Sequence, residues 1–140
     1  MTNATTSKGL RVSLWIVQGL LALTFVGTAV WKLATPIPKL ATMIPWAGQV
    51  SPGFLTMTAV FDGLGGLGVL LPSLTRVLPW LASVAALGCA ALQACAIVFH
   101  ISRGEGAHTP FNFLLVALSL FVAWGVRRTT RSATPAVAKE

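Results

Sequence analysis

Charge is what this sequence has least of. Charged residues make up 9% of its 140, against about 25% in an ordinary soluble domain, and the only acids are Asp62, Glu105 and Glu140. That scarcity excludes a water-soluble surface. With 55% hydrophobic residues and a mean hydropathy of +0.80, the chain reads as one integral membrane domain. Cysteine is scarce too. Cys89 and Cys95 lie about 9 Å apart in helical rise, beyond the roughly 7 Å Cα limit of a disulfide. They read as small buried hydrophobes and define no redox compartment. His100 and His108 form no HxxxH or HExxH pair and have no thiolate nearby, so no metal site is expected. No serine, histidine and acid constellation suggests nucleophilic catalysis. The net charge of +7 is not gathered on a basic face with interleaved aromatics, which argues against nucleic acid as a partner.

What is present is a series of four apolar blocks, each near the roughly 20 residues that cross a hydrocarbon core about 30 Å thick. They lack the alternation of a barrel, and lipid offers the backbone no hydrogen bonds. The expected fold is therefore all-α: a transmembrane four-helix bundle with helices at about residues 12–34, 53–71, 77–100 and 110–126. Residues 1–11 are expected to be a disordered lead, and 127–140 a basic, solvated tail. Lys8 and Arg11 before the first block resemble the start of a signal peptide, but the block is too long for one and runs past any cleavage pattern. Asn3 begins a glycosylation acceptor triplet that a cytoplasmic terminus would not use.

The cations cluster at helix ends. Lys8, Arg11, Arg76, Arg127, Arg128, Arg131 and Lys139 fall on one side of a four-span chain, with Lys32, Lys39 and Arg103 on the other. By the positive-inside rule the first side and both termini are cytoplasmic, as in a multi-pass protein of a bacterial inner membrane. Trp15, Trp80 and Trp124 near one face and Trp31 near the other agree with that register. The bilayer is the first partner, and anionic lipid headgroups are the expected partner of the basic tail.

Residues 35–52 hold four of the eight prolines yet remain apolar at Leu40, Met43, Ile44 and Trp46. Such a broken, greasy segment is read as lying on the outer membrane surface in preference to forming a lid. Ala82, Ala86, Ala90 and Ala94 form a small-residue ridge on the third span, and Ala59, Gly63 and Gly66 offer one on the second; the two ridges are expected to meet.

Asp62 is the residue that most requires an explanation. It lies mid-span, where an ionised side chain costs roughly 2.5 to 3.5 kcal/mol on insertion scales. It is open to two readings: a satisfied structural acid, or a proton-handling or ligand-binding one. Helical rise puts it about 14 Å below the outer surface and Lys32 about 3 Å below it, a gap of roughly 10 Å that makes their pairing stretched. Gln93 and His100 share one face of the third span. With Lys32, Asp62 and Asn112 they make a candidate polar ligand site in the outer half of the bundle. The run Gly63-Leu64-Gly65-Gly66-Leu67-Gly68 matches a dinucleotide fingerprint by letters alone. It has no preceding strand and no acid at the required distance, so close helix packing explains it.

Gly27, Trp31-Lys32-Leu33, Asp62-Gly63, Leu71-Pro72, and His100 with the loop from Gly104 to Asn112 resemble the DoxX-like family of small four-helix membrane proteins. Members commonly carry glutamate where this chain has Asp62. The family is associated with thiosulfate oxidation coupled to membrane quinone and with oxidative-stress systems. The resemblance implies a protein that binds a quinone or another small lipophilic molecule, or serves a membrane redox partner, with Lys32 and Asp62 as its shared polar positions. A non-catalytic accessory subunit, associating with itself or with another membrane protein through its small-residue ridges, is the alternative. A small transporter has less support, since no inverted repeat is present.

Overall fold

The computed structural model describes residues 6–133. The lead to Thr5, with Asn3, and the tail from Thr134, with Lys139, lie outside them. The described residues form five α-helices: α1 (Lys8–Ala34), α2 (Ile37–Met43), α3 (Pro52–Thr75), α4 (Trp80–Ser102) and α5 (Thr109–Ala133). Four of them, all but α2, are long and apolar enough to cross a membrane. No strand occurs among the described residues.

Local chemistry sets the boundaries. The Ser7 hydroxyl accepts a hydrogen bond from the Leu10 N–H and opens α1. Ser51 does the same for Phe54, with Pro52 in the first turn of α3. Each satisfies an orphan donor that lipid could not. The sequence places the end of the second span at Leu71, but α3 runs through Pro72 to Thr75. Proline removes one N–H from the ladder, the one that would bond the Gly68 carbonyl, and α1 makes a polar tie to α3 at residues on either side of it. The Gln18 amide of α1 donates to the Val69 carbonyl at 2.9 Å and the Ser73 hydroxyl at 2.7 Å. Arg76 and Leu78, both at positive φ (59° and 48°), then turn the chain tightly into α4.

α5 also extends beyond its expected end at Val126. Arg127, Arg128 and Arg131 belong to the helix, where cations near a C-terminus complement the carbonyl dipoles. Arg127 Nε donates to Ser83 Oγ at 3.0 Å, and the Arg128 guanidinium lies 5.3 Å from the Trp124 ring centre.

The long helices form a closed ring: α1 packs on α3, α3 on α4, α4 on α5, and α5 returns to α1. Leu21, Phe25, Val69, Ala86, Cys89 and Val122 lie in its core. Large apolar residues point outward, such as Leu23 at 73% exposed and Val98 at 69%, whereas Gln18, Asp62, Ser83, Gln93, Thr109 and Ser119 are buried. Polar groups inside and hydrocarbon outside is the arrangement a bilayer demands.

The expected meeting of the two small-residue ridges is corrected. Around Asp62 the glycines of α3 divide between two neighbours. Gly63 and Gly66 face α1: a Cβ on Gly66 would lie 3.0 Å from Phe25 Cβ and 3.1 Å from the Ala22 carbonyl oxygen. Gly65 and Gly68 face α4, where an added Cβ would meet Cys89 Sγ at 2.7 Å and Ala85 Cβ at 2.8 Å. The 100° step between residues sends positions 63 and 66 to one flank of the buried stripe and 65 and 68 to the other. On α4, Ala82, Ala86 and Ala90 are buried but Ala94 is exposed.

The proline-rich segment is a lid rather than a surface strip. α2 and a 3-10 turn at Pro45–Gly48 fold back on the Lys32 end of the bundle, where Trp46 meets Lys32 and Phe99. Leu40 and Ala47 are buried against Leu55, with Trp31, Ile37 and Ile44 around them. Its apolar residues gain more from this second small core than from the headgroup region, because together they remove continuous area from water.

Gly66→Val should therefore destabilise the protein by about 1–3 kcal/mol through overpacking against α1 backbone. Gly27→Val, at a site with no atom within 4 Å of the added Cβ, should have a much smaller effect. Thermal unfolding of both variants in detergent checks the pair, and equal melting temperatures would refute the close contact.

Candidate functional site

Lys32 sits in the last turn of α1, where the helix dipole favours a cation. Its Nζ lies 2.7 Å from Asp62 Oδ2, and the side chains are only 11% and 7% exposed. The same nitrogen is 3.5 Å from Thr58 Oγ1, one turn above Asp62 on α3, and Thr58 itself donates to the Leu55 carbonyl at 2.8 Å. Trp46 of the lid covers the ammonium, its ring centre 5.5 Å away. The roughly 10 Å gap from helical rise is closed because the lysine stem turns down into the bundle and because the lid, not α1, forms the end of the molecule there. Depth counted from helix ends takes no account of either.

A cavity of about 340 Å³ opens beside the pair, between the end of α1, the start of α2 and the first turn of α3. Lys32 lines it together with Leu33, Thr35, Ile37, Leu55 and Thr56.

The other expected site residues are distributed among separate contacts. Asn112 Nδ2 donates to Gln93 Oε1 at 2.6 Å, tying α5 to α4. His100 Nδ1 lies 2.9 Å from Glu105 Oε2, and Arg103 Nε donates to Glu105 Oε1 at 3.3 Å. The structure thus brings Lys32 to Asp62 and Gln93 to Asn112, and turns His100 toward the connection between α4 and α5. His100 and His108 approach with ring centres 6.1 Å apart; among the described residues no three His, Cys, Asp or Glu side chains are arranged to hold a metal.

Several participants escape the sequence reading. Trp46 reaches the site only because the lid folds back, and its ring edge also meets Phe99 of α4 at 5.7 Å between centres. Arg103 donates to Gln49 of the lid and lies over Phe99 at 5.2 Å. Glu105 follows His100 by five residues, a spacing that signals little until the helix ends between them. Thr58 could have been found, because it precedes Asp62 by one helical turn.

A small bundle of membrane-length helices with an ion pair buried near one lidded end defines a multi-pass membrane protein. The model of the DoxX-like family matches residues 16–122, and the chain belongs to that family. No curated protein and no solved structure matches it.

Two predictions test this geometry. Removing one partner of a buried pair strands the other charge, at about 3–5 kcal/mol, whereas replacing both with apolar residues is often neutral. Asp62→Leu and Lys32→Met should each lower the melting temperature sharply, and the double variant should recover most of the loss; additive losses would argue against the pair. The second concerns Glu105. Its hydrogen bond with His100, assisted by Arg103, holds the carboxyl below its ordinary 4.5. A carboxyl lowered in the folded state contributes stability above pH 4.5 that is lost as pH falls through the lowered value. Hydrogen exchange in residues 101–108, corrected for intrinsic rates, should accelerate between pH 5 and pH 3 in the wild type and not in Glu105→Gln.

Proposed function

We propose that this protein binds a quinone, or a lipophilic molecule of like chemistry, at the Lys32 end of the bundle in service of a membrane redox system. The observation that carries the reading is the buried Lys32–Asp62 pair, 2.7 Å apart, whose lysine is also among the residues that line a cavity of about 340 Å³. Ligand pockets are concave and mostly apolar, with a few polar groups that fix orientation. Here Lys32 is the group positioned to donate to a ligand oxygen. Asp62 holds it in place and is the nearest proton acceptor, and Thr58 steadies the nitrogen from above. Gln93, Asn112 and His100 support the ends of α4 and α5 in this reading rather than touching the ligand. The family's association with membrane quinone chemistry points the same way.

The reading extends to placement. Lys8, Arg11, Arg76, Arg127, Arg128 and Arg131 gather at the end opposite the site, and no acid stands among the described residues there. That end belongs on the cytoplasmic side of a bacterial inner membrane, against anionic headgroups.

Titration of the purified protein with a short-chain ubiquinone should quench tryptophan fluorescence saturably, since Trp46 lies over Lys32. Lys32→Met should weaken that binding at least tenfold. Quenching that never saturates, or is unchanged in the variant, would remove the basis for the proposal.

A further inference from the structure

Among the residues that line the cavity Lys32 alone carries a charge, and its ammonium is already neutralised. Leu33, Pro36, Ile37 and Leu55 supply hydrocarbon and Thr35 and Thr56 supply hydroxyls, whereas Lys32 brings an ammonium whose counter-charge is 2.7 Å away on Asp62. Wherever the proton between them rests, the pair totals zero charge. A carboxylate or phosphate placed against Lys32 must also lie within a few ångströms of the Asp62 carboxylate, in surroundings where screening by water is weak. The like charges then repel. A neutral carbonyl oxygen can accept from the ammonium without creating that imbalance.

Size narrows the ligand further. At about 340 Å³ the cavity is near the lower end of the roughly 300–1,000 Å³ that ligand pockets span, so it holds a head group and not a whole lipid. A tail would run along the exposed apolar flank of α1, where Val30 is 59% and Leu33 57% exposed.

We infer that the Lys32–Asp62 pair is a charge filter: the site accepts neutral carbonyl head groups carried on an apolar tail and rejects anionic head groups of the same size. Asp62 is the residue that sets this specificity, acting through Lys32. The inference deepens the quinone reading and rests on it.

The test compares three probes on the full-length protein released from detergent micelles, read by native mass spectrometry at equal free concentration: decylubiquinone, laurate and the methyl ketone of the same chain length. The wild type should bind both neutral probes and prefer the ketone to laurate by at least tenfold. Asp62→Asn leaves the lysine charge uncompensated and should strengthen laurate binding about tenfold, reversing the order. Lys32→Gln combined with Asp62→Asn makes the site neutral again and should abolish that gain. Laurate matching the ketone on the wild type, or gaining nothing in Asp62→Asn, would overturn the filter while decylubiquinone binding kept the quinone reading intact. Failure of decylubiquinone to bind the wild type would overturn that reading itself, and the filter with it. Should Asp62→Asn lose its helical circular dichroism, the ketone-to-laurate ratio of the wild type and the double variant decide the matter.

Discussion

Neither an ammonium nor a carboxylate can be left alone in hydrocarbon, and this requirement organises the Lys32 end of the molecule. The two charges are tolerable only in contact, and contact demands that α1 and α3 run close together at that depth. Gly63 and Gly66 provide the close approach by presenting no side chain to Ala29, Phe25 and the Ala22 carbonyl. The lysine must then be shielded from above, and the proline-rich segment that could not form a span does this with Trp46. Glycine spacing, lid and ion pair are three parts of one solution to a solvation problem.

The remaining buried polar groups follow the same logic on a smaller scale. Gln18 joins α1 to α3 at the proline, while Gln93–Asn112 and Ser83 with the Ala123 carbonyl join α4 to α5. Between α3 and α4 the close contacts are of another kind, Gly65 against Cys89 and Gly68 against Ala85. The bundle is thus two hydrogen-bonded helix pairs meeting along a seam of small residues. In lipid, where apolar side chains gain little by leaving hydrocarbon for each other, both devices are needed: polar links for specificity and close approach for dispersion.

Much of this was legible in the sequence because it follows from one-dimensional constraints. Span number comes from hydrocarbon thickness, and the prominence of Asp62 from the cost of a charge in lipid. What could not be read depends on side-chain reach and on segments returning in three dimensions. Helical rise gives the heights of Lys32 and Asp62 but not the direction of a flexible stem. The spacing of the glycine run indicates a packing surface, yet its division between two neighbours depends on where α1 and α4 stand around α3. Pro72 suggests a helix end, and the tie that α3 makes beside it is to Gln18, 54 residues earlier in the chain. Residues 35–52 are ambiguous in one dimension, since a lid and a surface strip share one composition and differ only in whether Leu40 and Ala47 find a site to fill.

The basic cluster at the Arg127 end has an electrical consequence. Among the described residues that end carries six cations and no acid; at the other, Lys32 cancels Asp62, and Lys39 and Arg103 are offset by Glu105 to leave one. In a membrane polarised by 100 mV, negative inside, each transferred charge is worth about 2.3 kcal/mol, so an orientation with the Arg127 end outward would stand about 12 kcal/mol above its reverse. A polarised membrane would thus favour one direction of the molecule on its own, as a field does for a compass needle.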